Sequence, residues 1–103
     1  MATSETLTPI VYNVDLTTAN TQYSQALPAN TRYFSVWCRD GSVMRLAFVT
    51  GKVATPTAPY LTIGANAAYN SPEKIQASPS GLTLYLASPD GSKVAEILAW
   101  VAE

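Results

Sequence analysis

The chain has 103 residues, of which 48% are hydrophobic and only 13% are charged, and its formal net charge is −1. That length suits a single domain over residues 1–103. The six cations are scattered, which argues against a nucleic-acid surface, because such a surface needs several converging Lys or Arg side chains. No apolar stretch approaches the roughly 20 residues that span a membrane.

The N-terminal quarter begins with a polar segment and continues as two strands. Residues 1–8 are threonine-rich and predict a flexible arm without a signal peptide, so we expect synthesis in a reducing cytoplasm. After Pro9, Ile10, Tyr12, Val14 and Leu16 share one face of an alternating stretch, which predicts a half-buried strand with these four residues facing inward. Residues 22–27 predict a second short strand.

Two Asp-Gly-Ser turns each separate a pair of β-rich segments. The first turn, residues 39–42, lies between residues 32–38 and 43–49, and the second, residues 89–92, lies between residues 82–88 and 93–101. Asp and Gly tolerate the positive φ angles of tight turns, so each block predicts a β-hairpin.

Alternation within these four segments predicts which side chains face the core. In the first block the face without arginine is assigned to the core, and its members are Phe34, Val36, Cys38, Met44, Leu46 and Phe48. The opposite face, with Arg39 and Arg45, is assigned to solvent or an interface, which places Trp37 outside. In the second block Leu82, Leu84 and Leu86 face inward. If Glu96 marks the outer face of the last strand, Trp100 is also outside, although a one-residue bulge would bury it.

The middle of the chain carries weaker signals. Residues 50–68 are broken by glycines and prolines and contain one short strand at residues 60–63, and residues 71–75 resemble a single helical turn. About eight short strands joined by turns, without a helical window of ten residues, predict an all-β fold. We expect one antiparallel β-sandwich or jelly roll.

Little in the sequence supports bond chemistry. The chain has no histidine, which removes the commonest general base and metal ligand, and its lone cysteine, Cys38, occupies an inward position typical of a core residue. Asp40 and Asp90 suit turn capping; a calcium site is an alternative that would need more converging oxygens. We therefore predict no enzyme activity, no catalytic residue, no metal and no cofactor.

The aromatic residues are the remaining candidates for function. Most of the six tyrosines are expected in the sandwich core. Tyr33 shares the outer face with Trp37 and Arg39, and Trp100 is outside in the last strand. Tyr, Trp and Arg are enriched where protein surfaces bury one another, so these four residues are predicted to contact a partner.

From residue 27 to residue 100 the strand sequences resemble small β-sandwich structural proteins of tailed bacteriophages. The residues that carry the resemblance are Leu27-Pro28-Ala29-Asn30-Thr31-Arg32, Trp37-Cys38-Arg39, Val43-Met44-Arg45-Leu46-Ala47-Phe48, Thr83-Leu84-Tyr85-Leu86-Ala87-Ser88 and Ala95-Glu96-Ile97-Leu98-Ala99-Trp100. Members of that group are jelly-roll-like, and some are cement or decoration proteins that clamp neighbouring capsid subunits as trimers or dimers.

The resemblance implies a non-enzymatic virion protein, made in the host cytoplasm and located on the capsid surface. It would form a dimer or trimer and bind the major capsid protein through Tyr33, Trp37, Arg39 and Trp100, with residues 1–8 becoming ordered on assembly. The alternative is a carbohydrate-binding or receptor-binding module of a phage tail or fibre, in which the tryptophans stack on sugar rings. A hydrolase is a third hypothesis, which the missing histidine disfavours.

Overall fold

The computed structural model describes residues 6–102, and within that range the chain forms eight strands and no helix. In chain order the strands are β1 (Leu7–Leu16), β2 (Tyr23–Leu27), β3 (Thr31–Cys38), β4 (Met44–Ala47), β5 (Leu61–Ile63), β6 (Ala68–Asn70), β7 (Leu82–Ala87) and β8 (Lys93–Ala102).

The strands form two four-stranded antiparallel sheets. Sheet A has the order β1-β8-β3-β6 and sheet B the order β2-β7-β4-β5. The first strand pairs with the last, the second with the seventh, the third with the sixth and the fourth with the fifth. These four pairs lie alternately in sheet A and sheet B, as in a long hairpin rolled around a core, which is the jelly-roll arrangement. The predicted all-β antiparallel sandwich is confirmed.

Both Asp-Gly-Ser turns are corners between the sheets, so the prediction of two hairpins is wrong. The first turn leads from β3 in sheet A to β4 in sheet B, and the second leads from β7 in sheet B to β8 in sheet A. Turn residues reverse the chain, but they do not decide whether the next strand pairs beside the last one or crosses to the other sheet. Here both sides of β3 are already occupied, by β8 and β6.

The first corner depends on its glycine. Gly41 has a φ of +80°, which side chains with a Cβ rarely adopt, and a Cβ there would collide with the Asn66 side chain. The Gly41 N–H donates to the Cys38 carbonyl at 3.0 Å, and the Asn66 N–H donates to the Gly41 carbonyl at 2.8 Å. In the second corner the positive φ, +59°, is at Ser92.

The core lies between the two sheets and follows the predicted alternation in most strands. Tyr12 packs against the core from β1. The members of the buried cluster are Val14, Leu16, Leu27, Phe34, Val36, Cys38, Met44, Leu46, Ile63, Leu84, Leu86, Ala95, Ile97 and Ala99. The faces predicted for the first and last strands are therefore correct, and no bulge exchanges the faces of β8.

Phe48 is an exception, because it was predicted in the core and is 42% exposed. Strand β4 ends at Ala47, so alternation no longer determines where the next side chain points. The Phe48 ring lies at the edge of the sandwich, with centroid distances of 6.3 Å to Phe34 and 6.4 Å to Tyr69.

Arg45 is the second exception, because it is only 8% exposed although its face was predicted to meet solvent or an interface. It does point away from the core, but Val53, from the segment of residues 50–57, packs on that face of sheet B with Ala47 and Ala87. Arg45 Nε donates to the Val53 carbonyl at 2.7 Å, and Nη2 donates to Asn20 Oδ1 at 2.7 Å. The arginine thus fixes the covering segment to β4.

The predicted helical turn at residues 71–75 is also absent. The chain instead runs on beside β3, where the Ser71 N–H donates to the Phe34 carbonyl and the Ile75 N–H donates to the Arg32 carbonyl. Bonds to a neighbouring strand replace the local bonds that a helical turn would need. Strand β6, just before this segment, was not predicted.

The predicted arm of residues 1–8 overlaps the first strand. Residues 1–5 lie outside the described residues. Leu7 and Thr8 belong to β1 and pair with Ala102 and Val101 of β8. Strand β1 therefore begins three residues earlier than the sequence pattern indicated.

Candidate docking face

The outer face of sheet A carries Tyr33, Trp37 and Trp100, and Arg39, the fourth residue predicted to contact a partner, directly follows β3. The face is built from the odd-numbered residues of β1, from Tyr33, Ser35 and Trp37 of β3, and from the even-numbered residues of β8. Strand pairing aligns these side chains in three rows across the sheet, each about 7 Å from the next along the strands. The rows are Pro9, Trp100 and Tyr33; Val11, Leu98 and Ser35; and Asn13, Glu96 and Trp37.

The first two rows form an exposed apolar patch. Trp100 and Tyr33 are directly paired and are 38% and 37% exposed, while Val11, in the next row, is 66% exposed. Leu98 pairs with Val11 and is partly covered. Single exposed apolar side chains are ordinary, but several large ones adjoining on one sheet face indicate a surface that a partner can cover.

The third row is held together by hydrogen bonds around one carboxylate. Trp37 Nε1 donates to Glu96 Oε1 at 2.7 Å, and Arg39 Nε donates to Glu96 Oε2 at 2.8 Å. The guanidinium of Arg39, and then the indole N–H of Trp37, hold the pKa of Glu96 below its ordinary value. Trp37 is on the outer face, as predicted, but it is half-buried and its polar atom already has a partner.

A second ionic contact lies at the first corner, next to that row. Asp40 accepts a hydrogen bond from Lys93 Nζ at 2.7 Å and caps the Ser42 N–H at 3.1 Å. The Lys93 ammonium, followed by Ser42, holds the pKa of Asp40 well below its usual range. Asp40 therefore acts as the turn cap that the sequence suggested.

The Cys38 side chain also contacts this turn. Its thiol lies 3.2 Å from Asp40 Oδ1, and burial, followed by the bond to Asp40, raises the pKa of the thiol. A raised pKa disfavours the thiolate, which is the nucleophilic form. Cys38 is buried, as predicted for a core residue.

Two further properties concern the part of the chain that the structure describes. Among residues 6–102, no three His, Cys, Asp or Glu side chains lie close enough together to hold a metal ion. Over the same range, no helix has the length and apolar character needed to cross a membrane.

A separate exposed apolar region lies at the edge of the sandwich, and the sequence analysis did not predict it. Phe48, Val49 and Leu61 are exposed there. A neighbouring groove of about 370 Å³ is lined by aromatic and aliphatic side chains that include Phe34, Tyr69 and Leu82. Phe48 and Val49 follow the end of β4, where no periodic pattern indicates the direction of a side chain.

The structure divides the four predicted contact residues into two pairs. It brings Tyr33 and Trp100 together in the first row, and it brings Trp37 and Arg39 together around Glu96 two rows away. Val11, the most exposed large apolar residue of the face, was not predicted, because its neighbours on β8 could be identified only once the strand order was known.

The chain matches no protein-family model, no curated protein and no solved structure. The resemblance to phage structural proteins therefore rests on the strand sequences alone.

Proposed function

We propose that this protein is a non-enzymatic structural protein of a bacteriophage virion, of the capsid cement or decoration type. In this proposal it is made in the host cytoplasm, forms a homo-oligomer and binds the major capsid protein on the capsid surface. The outer face of sheet A is its docking face. The observation that carries the proposal is the adjoining exposed patch formed by Val11, Trp100 and Tyr33 on that face.

The chemistry of the docking face favours a protein partner. The centre is apolar and aromatic, whereas the edge carries Arg39 and Glu96, paired with each other. An aromatic centre with a polar rim is the usual arrangement at protein interfaces, where a few buried aromatic and arginine side chains supply most of the affinity. Since Arg39 is already paired with Glu96, it would contribute to docking by orienting the partner more than by adding net attraction.

A capsid lattice also explains how a small face can be sufficient. One face of a 103-residue protein offers a modest contact, but a symmetric oligomer that binds several coat subunits makes each further contact effectively intramolecular. Total attachment is then much stronger than any single contact.

The first experiment asks where the protein is found. We expect virions of the phage that carries this gene to contain the chain in a fixed ratio to the major capsid protein, with antibody labelling on the head. Quantitative mass spectrometry and immunogold electron microscopy measure these two properties. Virions without the chain, or labelling confined to the tail, would contradict the proposal.

The second experiment asks which face docks. Purified wild type, Trp100→Ala and Leu61→Ala are added back to particles that lack the protein, and bound protein is measured by co-sedimentation. We expect Trp100→Ala to weaken binding by about thirtyfold, the effect of a hot-spot residue. Leu61→Ala removes a similarly exposed side chain from an edge strand of sheet B and should bind like the wild type.

A glycan array tests the carbohydrate-binding alternative with the same proteins. Selective binding to a glycan that Trp100→Ala or Trp37→Ala abolishes, together with no binding to particles, would replace the cement proposal. Binding to particles without any glycan signal would support it.

A further inference from the structure

Strand β1 is a long edge of sheet A, and no other strand within residues 6–102 pairs with its outer side. The other three edge strands, β2, β5 and β6, have only five, three and three residues, whereas β1 has ten and pairs with β8 in ten successive positions without a bulge. Edge strands usually avoid pairing with other chains by being short, by carrying lysines or by bulging. Proline and other charged side chains also protect an edge. β1 has no lysine, its proline, Pro9, lies near its start and its one charged residue, Asp15, lies near its end, so residues 10–14 carry none of these features.

The hydrogen bonds of β8 show which backbone groups of β1 are free. The Val94 carbonyl accepts from the Arg39 N–H, and the Ala102 N–H donates to the Asn30 carbonyl, so even-numbered residues of β8 bond towards β3. Odd-numbered residues of β8 therefore bond towards β1, where their partners are even-numbered. The odd-numbered residues of β1 direct their backbone groups to the free edge. Pro9 has no N–H, so the donors directed to the free edge are those of Leu7, before it, and of Val11, Asn13 and Asp15, after it.

We propose that a second copy of this chain pairs with this edge, antiparallel, across a two-fold axis at Asn13. In that register the backbone of Asn13 bonds to the backbone of Asn13 of the second copy. The backbone of Val11 in each copy bonds in the same way to that of Asp15 in the other copy. The three donors that follow Pro9 are then paired, Leu7 and Pro9 lie beyond the paired segment, and no carboxylate stands opposite another carboxylate. The register is self-complementary, which a two-fold interface requires.

A second copy fits the free edge of β1 because of the geometry that the pairing produces. The two-fold axis of an antiparallel pair is perpendicular to the sheet, so both copies of sheet A join into one eight-stranded sheet with their outer faces on the same side. The exposed side chains of Val11, Trp100 and Tyr33 in both copies then face the same way. This inference specifies the self-association contained in the proposed function and rests on it, since two docking faces on one side can bind a surface together.

Sedimentation equilibrium tests the pairing with two substitutions of one residue. Asn13→Pro removes the central N–H from the free edge and leaves every bond between β1 and β8 in place, while Asn13→Ala removes the side chain and keeps the N–H. We expect the wild type and Asn13→Ala to form dimers. We expect Asn13→Pro to raise the dissociation constant at least about tenfold, since each dimer loses two hydrogen bonds. A wild type that is monomeric up to about 1 mM, or an Asn13→Pro dimer of unchanged affinity, overturns the proposal.

Amide hydrogen exchange on the wild type, followed by NMR, tests the register without any substitution. The N–H groups of Val11, Asn13 and Asp15 should become protected as the protein concentration rises, whereas those of Tyr12 and Val14, which bond to β8, should be protected throughout. A dimer in which the first three exchange freely has a different interface and contradicts the inference. Circular dichroism shows whether Asn13→Pro is folded. If it is unfolded, the exchange experiment on the wild type tests the pairing by itself.

The two proposals fail in different experiments. Trp100→Ala should remain a dimer and bind particles about thirtyfold more weakly. Asn13→Pro should be a monomer that keeps the intact docking face and therefore binds particles weakly rather than not at all. Virions without the chain would contradict the capsid function and leave a measured dimer standing.

Discussion

The outer faces of the two sheets are built by the same alternation of side chains, yet one is open and the other is covered. On sheet A, Trp100, Tyr33 and Val11 remain exposed. On sheet B, Ala47 of β4 and Ala87 of β7 form a small second core with Val53, and Tyr60 and Tyr85 pack against it.

The difference lies in the size and hydrogen bonding of the outward side chains. Ala47 and Ala87 are small enough for Val53 to pack directly on sheet B, and Arg45 holds that segment through the Val53 carbonyl. Sheet A has bulky aromatic side chains in the corresponding layer and no covering segment among the described residues. Where Ala47 and Ala87 leave room, the outward face of sheet B receives part of its own chain, whereas the face with Trp100 and Tyr33 is available for a partner.

Removing the arginine should uncover sheet B. We expect Arg45→Ala to lower the free energy of unfolding by about 3 kcal/mol, because charge-assisted hydrogen bonds to Val53 and Asn20 are lost and their acceptors stay partly buried. Urea denaturation measures the change, and increased binding of a hydrophobic dye would report the uncovered face.

Arg45→Lys is the matched control for that prediction. Lysine keeps the charge, but its single ammonium cannot reproduce the fork that reaches Val53 and Asn20 together, so we expect a loss between the wild type and Arg45→Ala. If Arg45→Ala loses less than about 1 kcal/mol, the covering segment is held mainly by its apolar contacts, and this account of the arginine is wrong.

Two valines test the same contrast with one identical substitution on each face. Val53 is fully buried against sheet B, whereas Val11 is the most exposed large apolar residue of sheet A. We expect Val53→Ala to lower the free energy of unfolding by about 2 kcal/mol and Val11→Ala by about 0.5 kcal/mol or less. Equal losses in the two variants would mean that the two faces do not differ in the way described.

Local pattern was sufficient for much of the fold and for part of the candidate site. Alternation placed Ile97 inside and Trp100 outside correctly, since each depends only on the period of one strand. It could not show that the Asp-Gly-Ser turns are corners or that Tyr33 lies beside Trp100, because strand order is a competition among distant segments. It also missed the burial of Arg45, which depends on an irregular segment with no period of its own.

The smallest effect is expected from the charge at the edge of the open face, and it should depend on pH. Because the pKa of Glu96 is lower in the folded protein than its ordinary value of 4.5, its ionised form stabilises the fold above that pH. This stabilisation disappears as the pH falls through the lower, folded value. We therefore expect Glu96→Gln to be less stable than the wild type at neutral pH, with a difference that is constant down to about pH 5 and shrinks below it.

A double-mutant cycle with Arg39→Gln identifies the source of that pH dependence. Arg39 is the main cause of the lowered pKa, so the effect of Glu96→Gln should shrink at neutral pH when Arg39 is already replaced. The amide oxygen introduced by Glu96→Gln can still accept the Trp37 N–H. The loss of stability that Glu96→Gln causes when Arg39 is already replaced therefore measures the weaker bond from Trp37 to an uncharged acceptor, and not the arginine contact. If the full difference persists below pH 3, or if the two substitutions are strictly additive, the Arg39–Glu96 contact does not stabilise the open face, and both charges at its edge are free to pair with groups of a partner.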